Sequence, residues 1–142
     1  MYLTYLSMRN FRNYEKLDLE LSPGLQLFHG VNAQGKSNLL EAVHLLAITR
    51  SHRATTDADV IRLEAMDFDP YTRIIGVVNR QDGNQSRIQV DMALSLPESD
   101  AHPRKSSGPL RKQIRLDGTP CLASEAIGVI NSVLFSAEDI SI

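Results

Sequence analysis

Residues Gly30 to Ser37 read GVNAQGKS, a Gly-x4-Gly-Lys-Ser spacing that restricts the fold more than any other stretch of the chain. Such a loop surrounds a phosphate with backbone N–H groups, which requires glycines where the chain turns tightly. The lysine brings a point charge to the outer phosphates, and the serine hydroxyl is placed to ligate Mg²⁺. The phosphate-binding candidates are therefore Gly30, Val31, Asn32, Ala33, Gln34, Gly35, Lys36 and Ser37, with Ser37 as the metal ligand. At ordinary amino-acid usage a match arises by accident in roughly one in 200 chains of this length. The flanks must decide, because the loop does this work only between a strand and a helix.

Ahead of the loop, Leu25 to His29 (LQLFH) follows the turn signal Ser22-Pro23-Gly24 and predicts a short strand. Behind it, Leu39, Val43, Leu46 and Ala47 recur at helical spacing, with Asn38 and Glu41 on other faces. A helix beginning near Lys36 aims its free amides and positive dipole end at a bound phosphate. The plainer alternative is a Gly-rich turn between strand and helix, with Lys36 merely solvated.

Composition narrows the class. The 142 residues are 42% hydrophobic, enough for one core. No apolar run approaches the ~20 residues needed to span a membrane, and MYLTYLSMRN at the N-terminus does not read as a secretory signal. Cys121 is the one cysteine, which leaves no disulfide framework or zinc cluster and predicts a reducing cytoplasm. As a residue it reads as a small packed apolar group rather than a nucleophile. A net charge of −2 rules out a polybasic nucleic-acid binder. Even so, Arg104, Lys105, Arg111, Lys112 and Arg115 fall together with no acid between them. That run either tracks phosphates or is the solvated face of a loop and strand.

Along the chain, Tyr2 to Met8 predicts a first strand and Arg9 to Asn13 a polar corner. Leu17, Leu19 and Leu21 then alternate with Lys16, Asp18 and Glu20 as a half-buried second strand. Arg50 to Arg53 (RSHR) lies at the predicted helix's C-terminal end, where cations complement the dipole. His52 has no second metal-ligand residue at helical spacing. Asp57 to Leu63 reads as a short helix or turn. Arg73 to Asn79 and Arg87 to Leu96 read as strands joined by the turn Gln81-Asp82-Gly83-Asn84. Pro97 to Pro109 is a polar loop, Leu110 to Leu116 a further strand and Asp117-Gly118 a turn. Ala123 to Val129 has a weak helical pattern, and Val133 to Phe135 suits a buried strand. Ser136 to Asp139 resembles a capped helix start, and only Ile140 to Ile142 follow it. A helix of one turn cannot bury a face, so the chain reads as the N-terminal part of a longer protein.

The string VNAQGKSNLLEAVHLLAITRSHR, with NFRNY (Asn10 to Tyr14) and VLFSAEDI (Val133 to Ile140), resembles the RecF family. These are bacterial DNA replication and repair proteins with an ABC-type ATPase head related to SMC proteins. Two departures are visible: Ala137 stands where the family usually has Pro, and Ser37 where it often has Thr. Ser37 keeps the hydroxyl. The resemblance implies an α/β P-loop NTPase fold of ABC-head type, with a mixed β-sheet around a central phosphate-loop helix and residues 1–142 as one incomplete N-terminal lobe. It implies ATP with Mg²⁺ as cofactors and ATP-dependent homodimerisation. It further implies binding to single-stranded or gapped DNA, and work beside RecO- and RecR-like mediators in replication, recombinational repair and the SOS response. In such heads the ABC signature and the Walker B Asp-Glu pair lie in the second half. Neither occurs here, so this segment holds no catalytic residue, and weak DNA-dependent hydrolysis is expected only of a full-length protein.

The resemblance also lets Arg12 and Asn13 approach the nucleotide from the first corner; their other reading is capping of that turn. Arg50 and Arg53 are candidates to face phosphate or DNA, their other reading being the complement to the helix dipole. Two rivals make different demands. An SMC-type head that moves coiled-coil arms needs long heptads, and a small-molecule kinase needs its own acceptor site. The two strands ahead of the loop and the RSHR segment argue against the kinase.

Overall fold

The computed structural model describes residues 1–30, 35–95 and 109–136. Its framework is a six-stranded antiparallel sheet in the order β2-β1-β3-β4-β5-β6. The strands are β1 (Tyr2–Phe11), β2 (Tyr14–Glu20), β3 (Tyr71–Asn79), β4 (Gln85–Leu94), β5 (Leu110–Leu116) and β6 (Thr119–Cys121). A 13-residue helix, α1 (Lys36–Ile48), lies over one face. Short 3-10 turns occupy Asp57–Val60 and Leu63–Ala65, and one helical turn, α2 (Ala123–Ala126), follows β6.

Alternation in the sequence decides which face is buried. In β4, Ile88, Val90 and Met92 point inward at 0–1% exposure while Arg87 is solvated. Leu6 and Met8 of β1 and Ile74 and Val78 of β3 join them, and α1 closes the layer with Leu39, Ala42, Leu45 and Leu46. Burial of each large apolar side chain contributes roughly 1.5–3 kcal/mol before entropy is counted. The helix sits so close over β3 that a Cβ on Gly76 would lie 2.6 Å from Leu46 Cδ1. Glycine is what lets the two layers meet there.

The first strand runs three residues past its expected end. Arg9 is not corner but strand, its guanidinium paired with Asp18 across β2 at 3.0 Å, and Phe11 is wholly buried. The corner shrinks to Arg12-Asn13, since Phe11 pairs with Tyr14. The turn between β3 and β4 forms as expected, with Asp82 accepting the Asn84 amide.

Two apolar runs do not become strands. Leu25 to Gly30 carries no ladder hydrogen bonds, and Leu25 is 97% exposed. Val133 to Phe135 is likewise unpaired, with Val133 and Phe135 exposed. A strand exists only with a partner, and no described strand lies beside either run. The weak helical pattern from Ala123 settles into the single turn of α2. Most of the polar loop from Pro97, and the helix start after Ser136, lie outside the described residues.

Candidate functional site

Of the eight phosphate-loop residues, Gly30, Gly35, Lys36 and Ser37 are described; Val31, Asn32, Ala33 and Gln34 lie outside the described residues. The helix half of the expected context is present. Gly35 caps α1 in a left-handed conformation, φ 94°, and Lys36 is the first helical residue. A Cβ at Gly35 would lie 2.8 Å from Tyr14 Oη and 2.9 Å from the Asn13 side-chain amide. The left-handed conformation therefore demands glycine, and a side chain there would also have to displace the ends of Tyr14 and Asn13. Lys36 Nζ donates to the Gly30 carbonyl, so the side chain spans the loop from its last turn back to its first glycine. Ser37 is exposed. Beside the lysine is a cleft of ≈ 340 Å³ lined by Tyr14, Leu27, Phe28, His29, Lys36 and Leu39. A roomier concavity of ≈ 980 Å³ opens between Tyr2, Val43, Arg80 and Val129, but none of the described phosphate-loop residues line it.

The β1–β2 corner reaches this loop. Tyr14 Oη donates to the Gly35 carbonyl at 2.9 Å, and burial pushes the phenol's pKa up from its ordinary value. Asn13 Oδ1 accepts from Asn38 Nδ2 at 2.9 Å. Asn13 thus stands against the loop. Arg12 does not: its guanidinium turns to Glu41, with Nη2 to Oε1 at 2.9 Å and Nε within 3.2 Å of both carboxylate oxygens. Its backbone has φ 53°, an unusual conformation for a non-glycine residue, secured by Arg12 N donating to the Val60 carbonyl at 2.8 Å.

Glu41 is the residue that sequence reading passed over. Set on "other faces" of the helix by its polarity, it instead shares the buried stripe with Ala42 and Leu45 and is wholly withdrawn from solvent. Besides Arg12 it accepts from Arg53 Nη1 at 3.0 Å and Ser51 Oγ at 2.9 Å. The available signal was a carboxylate four residues ahead of a core leucine, between two arginine-bearing segments. The RSHR segment consequently has a different task from the expected one. Arg53 and Ser51 fold back onto the middle of α1 rather than cap its end, while Thr49 terminates the helix at φ 63°. Arg53 Nη1 also reaches Asn38 Oδ1 at 3.1 Å. Arg50 is exposed. His52 stacks edge-on against His44, with ring centroids 5.3 Å apart, and the described residues hold no group of three metal-ligating side chains.

The basic run is divided by strand geometry. Arg104 and Lys105 lie outside the described residues. Arg111 and Arg115, four apart on β5, share one sheet face, while Lys112 points to the other and pairs with Asp57 at 3.3 Å. Arg115 also donates to Gln113 Oε1 and the Gly118 carbonyl. Cys121 packs at the edge of the core, where burial first and the Glu125 charge second push its thiol pKa up, away from a reactive thiolate.

With this geometry in view, the AAA-domain family matches residues 5–116. The chain belongs to that family. Within it the resemblance to RecF holds over the whole chain: it is 40% identical to the DNA replication and repair protein RecF of Roseiflexus castenholzii, covering 100% of this chain and 36% of that protein. RecF of Lachnoclostridium phytofermentans is 41% identical, with 100% and 34% covered. The chain therefore spans about a third of the length of the curated relatives it matches. A solved structure of the recombination mediator protein RecF with ATP superposes with TM-score 0.77 at 33% identity, covering 98% of this chain and 34% of that one. An SMC ATPase structure superposes with TM-score 0.69 at 20% identity, covering 100% and 85%, which shows the shared fold alone. The ABC-type head fold expected from the sequence thus stands, with the sheet and α1 forming its N-terminal lobe. No helix among the described residues is long and apolar enough to cross a membrane.

Proposed function

We propose that this chain is the nucleotide-binding lobe of a RecF-like ATPase head. In this reading, Gly30, Val31, Asn32, Ala33, Gln34, Gly35, Lys36 and Ser37 hold the phosphates of ATP. The observation that carries it is the opening of α1. A left-handed Gly35 bordered by Tyr14 and Asn13 delivers the chain into a helix whose first residue is the motif's lysine. The free amides of the first turn and the dipole favour an anion at that end. Lys36, held on the Gly30 carbonyl in the free protein, transfers its ammonium to a phosphate oxygen when one arrives.

Mg²⁺ fits the donor set. Exposed Ser37 offers one hydroxyl, and this ion habitually takes its other ligands from phosphate oxygens and water rather than from a protein cage. When bound, the ion neutralises phosphate charge. The chain's own residues bind and orient: Tyr14 anchors the Gly35 carbonyl, and Asn13 walls the loop on the corner side.

The rest of the reading concerns the longer protein: a cytoplasmic head that dimerises around ATP and binds single-stranded or gapped DNA. It would work with RecO- and RecR-like mediators in replication, repair and the SOS response. The likeness to RecF, one relative being a recombination mediator with ATP in the RecFOR pathway, supports it. On this chain Arg111 and Arg115 are the described basic pair for a phosphate backbone. The test is filter binding of gapped DNA by the full-length protein over a salt series, with and without Mg-ATP. ATP should tighten binding in the wild type, and Lys36→Ala should need about ten- to a hundredfold more ATP for the same effect. DNA binding equally insensitive to ATP in both proteins would reject the reading.

A further inference from the structure

We infer that Glu41 is a positioning residue for the nucleotide site, acting through Arg53, Asn38 and Asn13 on the closing glycine of the phosphate loop. The inference rests on the nucleotide-binding reading and adds to it residues that the motif does not contain. One wholly buried carboxylate faces two guanidiniums, and Arg12 alone matches its charge. Arg53 is the surplus cation, with a side chain 42% exposed, and it is retained by two acceptors on α1, Glu41 Oε2 at 3.0 Å and Asn38 Oδ1 at 3.1 Å. With its oxygen held by Arg53, the Asn38 amide group turns its nitrogen to Asn13 Oδ1 at 2.9 Å. The Asn13 side chain in turn occupies the space where a Gly35 Cβ would stand. Each link fixes the orientation of the next, so the buried charge at the centre of α1 sets the wall of the loop at its start. Ser51 completes the carboxylate's coordination and also accepts the Arg53 and Ala54 amides, which tethers the segment that carries Arg53.

A merely structural network would lower stability on disruption and leave nucleotide affinity intact in whatever remained folded. A serial relay behaves differently: breaking either of two links costs affinity, and breaking both costs no more than breaking one. The experiment is titration of the full-length protein with a fluorescent ATP analogue in Mg²⁺, alongside thermal melting without nucleotide. The variants are Glu41→Gln, Arg53→Ala, Asn38→Ala, the Arg53→Ala/Asn38→Ala pair and, as a control, Lys36→Ala. Arg53→Ala and Asn38→Ala should each raise Kd about three- to tenfold, and the pair should match the worse single variant. Asn38 and Arg53 are not buried, so these variants carry the test even if Glu41→Gln does not fold. Unchanged affinity in both single variants, or multiplying effects in the pair, overturns the inference. If Lys36→Ala itself leaves Kd unchanged, the nucleotide reading fails and the relay with it. Normal sensitivity to Lys36→Ala with none to Arg53→Ala or Asn38→Ala defeats the relay alone.

Discussion

Ala42, Leu45 and Leu46 of α1 and their neighbour Glu41 are equally withdrawn from water, each at 0% exposure, yet they are held by opposite means. The leucines and alanine meet the sheet through shape, with Gly76 cut back to admit Leu46. Glu41 meets two arginines and a serine that converge from the β1–β2 corner and the segment after the helix. The apolar contact tolerates any group of the right volume, whereas the ionic one tolerates only its own partners. The apolar half attaches the helix to the sheet. The ionic half attaches loops to the helix, and those loops border the phosphate loop. Burial is thus used once for stability and once for placement.

Removing one half at a time should expose this difference. Glu41→Ala leaves the partly exposed Arg12 and Arg53 without their shared counter-ion and should lose about 2–3 kcal/mol in urea unfolding. A loss below about 1 kcal/mol would mean that the arginines are solvated and the ionic half is ornamental. Gly76→Ala pushes a methyl into Leu46, and should lose about 1–3 kcal/mol through overpacking while leaving nucleotide affinity within twofold. A large affinity loss there would erase the distinction between the two halves. Tyr14→Phe removes the donor to the Gly35 carbonyl and should cost about 0.5–1.5 kcal/mol, with weaker nucleotide binding in the same variant.

The smallest expected effect is on pH. Burial first, and the charge of His52 second, hold the His44 pKa below its ordinary value. The unfolded chain then binds the proton more readily, so stability is intact above the unfolded value of about 6.5 and declines as pH falls from there toward the lower folded value. His44→Gln should flatten that slope in melting curves between pH 7 and pH 5. A slope of the opposite sign would contradict the assignment.

How far the sequence foretold this depends on where each residue's partners lie. The β4 alternation could be read directly, because Ile88, Val90 and Met92 need only a neighbour on one side, and β3 and α1 supply it. The start of α1 was legible for the same local reason: its glycine and lysine are adjacent. Leu25 to Phe28 looks as strand-like in sequence as β4, but its residues stay exposed without a partner strand. Arg12 was legible as a corner residue near the site, though not as a ligand of Glu41. That contact spans 29 positions and depends on a left-handed backbone that no pattern signals. Strand geometry likewise split Lys112 from Arg111 and Arg115, where sequence proximity had grouped them.

The central claim is that the loop opening α1 holds a triphosphate with Lys36 as its cation, and calorimetric titration of Mg-ATP into the full-length protein tests it most directly. Removing that one charge-assisted contact by Lys36→Ala should weaken binding by about ten- to a hundredfold, equivalent to about 1.5–3 kcal/mol, with the melting temperature of the free protein unchanged. Equal affinities for wild type and Lys36→Ala would contradict the account.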